Sequence, residues 1–374
     1  MGAPERDCFV VTHPGVERLT AGELEAIGIA PGELEPGGVS FRGSDEALYS
    51  ANLRLRTASR VLIRIGGFRA RTFPELERHA LRLPWSDVLP RGSAIRFAVT
   101  SRKSKLYHQG GIAERLARAA DHVAGDVRTD ADESAQLIVV RAVRDEFTVS
   151  ADSSGELLHR RGYRQATAKA PLRETLAAAM LLAAGWDGGR SLLDPFAGSG
   201  TIPIEAALIA RRIAPGLRRT FALERWPAFD AARWREVKDR ATAEVLDRAT
   251  VPIVGSDRDE GAVAAAAANA VRAGVGADVD FRRVSLSAAT RPGDAGLLVT
   301  NPPYGVRIGD RARLRDLYAQ LGNVARGAFT GWDVVLLSAH PVLEAATRLP
   351  FEQLLATSNG GVPVRVLRAR VSAS

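Results

Sequence analysis

From Glu174 onward helix-like and strand-like segments alternate, and that order restricts the second half of the chain to few architectures. "ETLAAAMLLAAGW" reads as a helix and "RSLLDPFAG" as a strand. "TIPIEAALIARRIA" (helix), "VPIVGSD" (strand) and "EGAVAAAAANAVRAG" (helix) follow. "DVDFRRVS" and "AGLLVTNPPY" are strands, "RLRDLYAQLGNVARGAF" is a helix, and "WDVVLLS" precedes two closing apolar runs. Such alternation indicates an open α/β sheet, whose ligands sit beyond the carboxyl ends of the strands.

The first half is ordered differently. "DCFVVTHPGVERLTAGELEAIGI" reads as strand, turn and helix, and "EPGGVSFRG" as a short hairpin. "DEALYSANLRLRTASRVLIRIGGF" is a helix passing into a strand at Arg60 to Ile65. "FPELERHALRLPW" and "GIAERLARAADHV" are helices flanking the strand "SAIRFAVTS", and "QLIVVRAV" with "EFTVSADSSG" closes as a hairpin. This mixture suggests an α+β layer structure. The polar, basic "SSGELLHRRGYRQATAKAPLRE" then suits an interdomain connection.

At 374 residues two or three domains are expected. The net charge of +8 and the isoelectric point near 10.2 favour an acidic partner such as nucleic acid. Between Leu53 and Lys105 there are 13 Lys/Arg against 3 Asp/Glu, enough to attract phosphate at physiological salt. Cys8 is the only cysteine, so internal disulfides are excluded and no metal site is expected. No apolar run approaches the ~20 residues that span a bilayer. "MGAPERDCFV" lacks a signal-peptide pattern, so no membrane partner and a cytoplasmic location are expected.

"LLDPFAGSGTIPIEAA" places a glycine-rich turn between strand and helix. Gly198 and Gly200 allow close backbone approach, and Ser199 and Thr201 can cap helix N–H groups. The turn lacks the third glycine of a dinucleotide fingerprint and the Gly-Lys-Ser/Thr ending of a P-loop. Asp194, at the strand's end, suits a cationic or hydroxyl-bearing ligand, and S-adenosylmethionine carries both groups. Asp257, ending the next strand, can accept two hydrogen bonds from a ribose diol, while Asp259 reads as a helix cap. The gap between Asp194 and Asp257 holds an insertion, "RRIAPGLRRTFALERWPAFDAARWREVKDRATAEV", with its own helix.

"TNPPYGVRIG" ends a buried-looking strand in a rigid corner, because two prolines cannot continue a central strand. The Asn301 side-chain oxygen and the Pro302 carbonyl can accept from the N–H bonds of an exocyclic amine, with Pro303 adding rigidity. Tyr304 can stack on the attached base, worth roughly 1–3 kcal/mol. Transfer of an electrophilic methyl needs alignment more than a strong base, so a neutral amide suffices. The corner specifies an amino group on a flat base without choosing among guanine, adenine and cytosine.

Together these three motifs resemble the class I methyltransferases that modify exocyclic amines of nucleic-acid bases. "DSSGELLHRRGYR", "AKAPLRETLAAAMLLAAGW" and "APGLRR…W…FDAARWREVK" narrow the resemblance to the THUMP-containing guanine-N2 RNA methyltransferases, particularly the bacterial 23S ribosomal RNA type. "THPGVERLTAGELEAIGI", "NLRLRTASRVLIRIG" and "SRKSKLYHQGGIAERL" extend it over nearly the whole chain. It implies a Rossmann-like α/β methyltransferase domain over 169–374, after a ferredoxin-like region (1–52), a THUMP RNA-binding domain (53–155) and a linker (156–168). S-adenosylmethionine is the implied cofactor, with Asp194, Pro195, Phe196, Gly198, Ser199, Gly200, Thr201 and Asp257 around it. Ser285 stands where such enzymes usually carry an Asp near the adenine. Lys169 and Arg173 are candidates for the cofactor mouth. Structured RNA, ribosomal in preference to transfer RNA, is the implied partner, and Arg96, Arg102, Lys103 and Lys105 are the candidate contacts. DNA or RNA N6-adenine or N4-cytosine methylation, and an RNA-binding protein without activity, are the alternatives.

Overall fold

The computed structural model describes residues 5–165, 172–304 and 311–372. Lys169, residues 166–168 of the expected linker and residues 305–309 of the proline corner therefore lie outside the described residues. The chain divides into two compact units. The first comprises Met1–Thr12, Ala21–Leu158 and Arg219–Asp239; the second comprises His13–Thr20, His159–Arg218 and Arg240–Ser374.

In chain order the first half contains β1 (Arg6–Thr12), α1 (Glu17–Ala26), β2 (Pro31–Glu35), β3 (Gly38–Gly43) and α2 (Asp45–Arg54). It continues through β4 (Ala58–Arg69), α3 (Phe73–Ala80), α4 (Trp85–Val88), β5 (Ala94–Arg102) and α5 (Gln109–Ala124). It closes with β6 (Arg128–Thr129), β7 (Gln136–Val143) and β8 (Glu146–Asp152). The eight strands form one sheet in the order β2-β3-β1-β4-β8-β7-β5-β6. The sheet runs continuously past residue 52, because β4 pairs with β1 on one side and β8 on the other. Register pairs Cys8 with Ile63, and Ile63 with Ala151, so the two ends of the segment share one apolar layer. β4 extends beyond the expected Arg60–Ile65 because β8 pairs with it as far as Arg69. The β7–β8 turn places both Arg144 (φ 53°) and Asp145 (φ 69°) in the left-handed region, as tight hairpins require.

Arg219–Asp239 of the insertion also belong to this unit, although sequence order sets them inside the second half. Trp226 is buried and donates Nε1–H to Gln136 Oε1 at 2.8 Å. Tyr49 packs against Phe229 and Trp234, and its hydroxyl accepts from the Asp230 N–H at 3.0 Å. Arg219 reaches the Leu157 carbonyl at 3.0 Å. Aromatic burial of this kind outweighs adjacency in sequence.

The second half alternates as expected: α6 (Glu174–Ala183), β9 (Ser191–Asp194), α7 (Thr201–Ala210), α8 (Ala231–Ala243, within the insertion and divided between the units at Asp239), β10 (Ile253–Asp257), α9 (Glu260–Ala273) and β11 (Asp280–Arg283). After these come β12 (Gly296–Thr300), α10 (Arg311–Ala328), β13 (Asp333–Ser338), α11 (Pro341–Ala346), β14 (Glu352–Asn359) and β15 (Val362–Arg370). The seven strands run β11-β10-β9-β12-β13-β15-β14. The first five are parallel, and β15 is antiparallel to both β13 and β14. β9 and β12 are buried throughout, as a sheet covered on both faces demands. Strand order reverses between β9 and β12, which opens a crevice at their carboxyl ends.

Trp226→Ala is expected to destabilise the first unit by about 3–5 kcal/mol, the usual cost of truncating a buried tryptophan. Chemical denaturation checks the loss. Hydrogen exchange should show protection falling across Arg219–Asp239 while β9 to β13 keep theirs; an unchanged first unit would contradict this seating of the insertion.

Candidate functional site

Three loops meet at that crevice. The first follows β9, where Gly198 (φ +51°) and Gly200 (φ +85°) both take left-handed conformations. A Cβ on Gly198 would meet nothing within 4 Å, whereas one on Gly200 would lie 2.9 Å from Phe281 and 3.0 Å from Ala266. One glycine thus leaves space open and the other permits packing. The capping roles expected of Ser199 and Thr201 are not seen: Gly200 is the N-cap of α7, with no side-chain cap. Thr201 Oγ1 instead accepts from Arg164 at 2.6 Å, and the Ser199 carbonyl accepts from Asn269 Nδ2 at 2.9 Å.

The second loop follows β10. Asp257 Oδ2 accepts from the Gly198 N–H at 3.1 Å and Oδ1 from the Asp259 N–H at 3.0 Å. Each oxygen keeps a further lone pair for a ligand. Asp259 caps α9, accepting from the Ala262 N–H at 2.8 Å.

The third loop follows β12. Asn301 Oδ1 is buried and has no hydrogen-bond partner among the described residues. A buried acceptor left unpaired costs about 1–3 kcal/mol, so it marks a place where a donor belongs. Pro302 is buried and Pro303 exposed. The Tyr304 hydroxyl accepts from Asn359 Nδ2 at 2.7 Å, which fixes a ring already packed against both core clusters of the unit.

These loops bound a cavity of about 440 Å³. Pro195, Phe196, Asp257, Ser285, Asn301 and Pro303 line it, so residues from 195 to 303 in sequence share one wall. Arg258, Leu286, Ser287, Leu317 and Gln320 also line it and were not singled out in sequence. Leu317 and Gln320 stand three apart on α10, a helical spacing that signals a shared face only once the helix is placed. Ser285 and Ser287 lie 3.1 Å apart between their hydroxyl oxygens. Asp194 is 1% exposed and precedes the lining residues, its Oδ1 accepting from Thr300 Oγ1 at 2.8 Å and the Phe196 N–H at 3.0 Å. Burial pushes its carboxyl up to about 7, partly offset by those two donors and raised further by Asp257.

In the first unit, Arg102, Lys103 and Lys105 are exposed at the end of β5, beside Tyr107, which is 79% exposed. Asp145 orders this turn, its Oδ1 accepting from the Lys105 N–H at 2.7 Å and its Oδ2 from Arg71 at 3.0 Å. Arg96 lies on the same face of β5 as Arg102 but about 20 Å along the strand.

A mostly parallel sheet of this strand order with one antiparallel strand, reversed beside a glycine turn and closed by an amide corner, defines a class I S-adenosylmethionine-dependent methyltransferase. Residues 161–362 match the UPF0020 family, described as an RMKL-like methyltransferase domain, and the chain belongs to that family. Residues 7–62 match the RlmL ferredoxin-like domain. The chain is 37% identical over 389 residues to ribosomal RNA large subunit methyltransferase K/L of Syntrophotalea carbinolica, covering 98% of this chain and 54% of that protein. It thus spans about half the length of that relative. A Synechocystis protein, slr0064, provisionally named an RNA methyltransferase, is 33% identical over 372 residues, with 98% of this chain and 97% of that one covered. Among solved structures, SMU.472, a methyltransferase by its description and complexed with SAH, superposes with a TM-score of 0.89 at 30% identity, covering both chains completely. A Listeria monocytogenes protein described as a predicted N6-adenine-specific DNA methylase gives 0.87 at 32% identity, covering 97% of this chain and 96% of that one.

Raising the Asp194 pKa makes the folded state hold a proton that the unfolded chain releases near its ordinary value of 3.8. Stability therefore falls as pH rises from about 4 to about 7, and the deficit persists above. Asp152, in the first unit, is pushed up to about 6 by burial despite pairing with Arg60, and acts with the same sign. The difference between wild type and Asp194→Asn isolates the first group. Asp194→Asn should melt higher than wild type at pH 8, with the gap closing towards pH 5; a gap independent of pH would contradict the assignment.

Proposed function

We propose that this chain methylates the exocyclic N2 amine of a guanosine in structured RNA, with large-subunit ribosomal RNA as the favoured substrate over transfer RNA. The buried, unpartnered Asn301 Oδ1 on the cavity wall carries the reading. An amine N–H directed at that oxygen would satisfy it, and the Pro302 carbonyl would take the second N–H. Drawing on both N–H bonds shifts the nitrogen towards tetrahedral geometry and frees its lone pair. Tyr304, its hydroxyl tied to Asn359, offers a stacking face to the base.

The cavity suits S-adenosylmethionine on its own residues. Asp257 would accept from the ribose hydroxyls, Ser285 and Ser287 would meet the adenine edge, and Phe196 with Leu286 would cover its faces. The open space at Gly198 admits close approach to the backbone. When bound, S-adenosylmethionine supplies an electrophilic methyl group. Asp194 holds the ends of β9 and β12 together through Thr300 and keeps the lining residues in place.

Guanine and ribosomal RNA rest on the sequence resemblance and on the Syntrophotalea relative's name. A THUMP-type RNA-binding role for the first unit is supported by the exposed Arg102, Lys103, Lys105 and Tyr107. The Listeria protein's description names a different base and nucleic acid, so the test must separate them. RNA and duplex DNA are incubated with labelled cofactor and digested to nucleosides. Label is expected in N2-methylguanosine from RNA. Label confined to adenosine or cytidine would overturn the guanine assignment, and transfer to DNA alone would overturn RNA.

Asn301→Ala should lower transfer by roughly 10²–10³-fold, as loss of a positioned hydrogen-bonding group does, with RNA affinity within about twofold. Replacing Arg102, Lys103 and Lys105 together by Ala should weaken RNA binding and reduce the log–log salt slope by about 2. An unchanged slope in filter binding would place the RNA face elsewhere.

A further inference from the structure

The glycine turn has two residues in left-handed conformations and no side-chain cap, so something else must hold its shape. Backbone bonds contribute: the Ala197 N–H donates to the Ser256 carbonyl at 2.9 Å, and the Gly200 N–H to the Ala197 carbonyl at 2.7 Å. Two side chains grip the rest. Asn269, fully buried on α9, donates Nδ2–H to the Ser199 carbonyl at 2.9 Å. Arg164 donates Nη2–H to Thr201 Oγ1 at 2.6 Å and to the Leu172 carbonyl at 2.7 Å, with Glu174 at 3.4 Å.

Both grips lead back to one short segment. Asn269 Oδ1 accepts from the Arg272 guanidinium, whose Nε–H donates to the Tyr163 carbonyl at 2.8 Å. The Tyr163 hydroxyl donates to Glu205 Oε1, on α7, at 3.2 Å, and Arg161 pairs with the same oxygen at 3.5 Å. Arg161, Tyr163, Glu174, Glu205 and Asn269 are each at most 5% exposed. Members of a buried polar network polarise and position one another, so they act as a unit. The contacts fall on the carbonyl of Ser199 and the hydroxyl of Thr201, which flank Gly200 on either side. Rotation at Gly200 would break both, and it would also shift the Gly198 N–H that meets Asp257.

We propose that Arg164 and Asn269 are positioning residues for cofactor binding: they hold the Gly198–Thr201 turn in its binding conformation without touching the cofactor. This rests on the reading that S-adenosylmethionine occupies the cavity. The segment Arg161–Arg164, rather than the turn's own side chains, would then set cofactor affinity.

Asn269→Asp removes the donor to Ser199 while keeping an oxygen acceptor for Arg272, so only the grip on the turn is lost. Calorimetric titration of the full chain with S-adenosylhomocysteine should show roughly tenfold weaker binding, the scale of one unsatisfied buried acceptor. Arg164→Lys keeps a charge for Glu174 but loses the guanidinium fork, and about threefold weaker binding is expected. In both variants the KM for the cofactor should rise while kcat at saturating cofactor stays within about twofold. Circular dichroism and melting temperature monitor folding. A lower melting temperature with unchanged S-adenosylhomocysteine affinity in either folded variant would make the network merely structural and overturn the proposal. Absence of binding by the wild type would instead overturn the cofactor reading, and this inference with it.

Discussion

Thr300 Oγ1 donating to the water-excluded carboxylate of Asp194 fixes the place where β9 and β12 part. The two strands are in register through Leu192 with Leu297 and Leu193 with Leu298, and the hydrogen bond closes the ladder at its carboxyl end. Asn301 follows Thr300 directly, and Pro195 with Phe196 follows Asp194 directly. Both sides of the cavity therefore start one residue beyond the same clamp. A fully buried carboxyl is a poor way to gain stability, since burial disfavours its charged form. Its retention at the crevice fits a site where geometry takes precedence over stability.

The glycine turn beside this cavity is held largely through its backbone groups. Gly198 presents its N–H to Asp257, and the peptide before Gly200 is held from behind by Asn269. Only glycine satisfies both demands: φ is positive at 198 and 200, and at 200 a methyl group would press on Phe281 and Ala266. Asp257 works in two directions, ordering the turn with one oxygen and the start of α9 with the other. Asp257 thus lines the cavity with its carboxylate already held by two backbone N–H groups, and such preorganisation lowers the ordering cost of binding.

What was legible in the sequence follows from how locally each feature is encoded. Helix and strand alternation marked the second sheet because every element carries its own apolar pattern. The glycine turn, Asp257 and the amide corner stood out because each ends a strand in residues that strands avoid. Leu317 and Gln320 were invisible because their place on the cavity wall depends on how α10 packs against the sheet. Asn269 was hidden inside "AVAAAAANA", where the surrounding alanines advertise only helix propensity. Asn359 lies at the end of β14, and only the β14–β15 pairing carries it to Tyr304. Arg164 looked like one more basic residue in a polar stretch, although it is half-buried and bonded to Thr201 and paired with Glu174.

The long gap between Asp194 and Asp257 has a topological explanation. α7 runs back from the carboxyl end of β9, so its own C-terminus lies at the end of the sheet remote from the cavity. A chain leaving there can lengthen without disturbing any loop that lines the site, whereas the same length inserted after β9, β10 or β12 would fall inside it. The excursion from Arg219 to Asp239 uses that freedom, burying Trp226 and Trp234 in the first unit and packing Phe229 on Tyr49. It returns through α8, and β10 then resumes its place beside β9 with Ile253 opposite Leu192. Sequence distance therefore carries no information about whether Asp194 and Asp257 cooperate. Strand register does, because it sets Gly255 beside Asp194 and leaves Asp257 projecting two residues further towards the cavity.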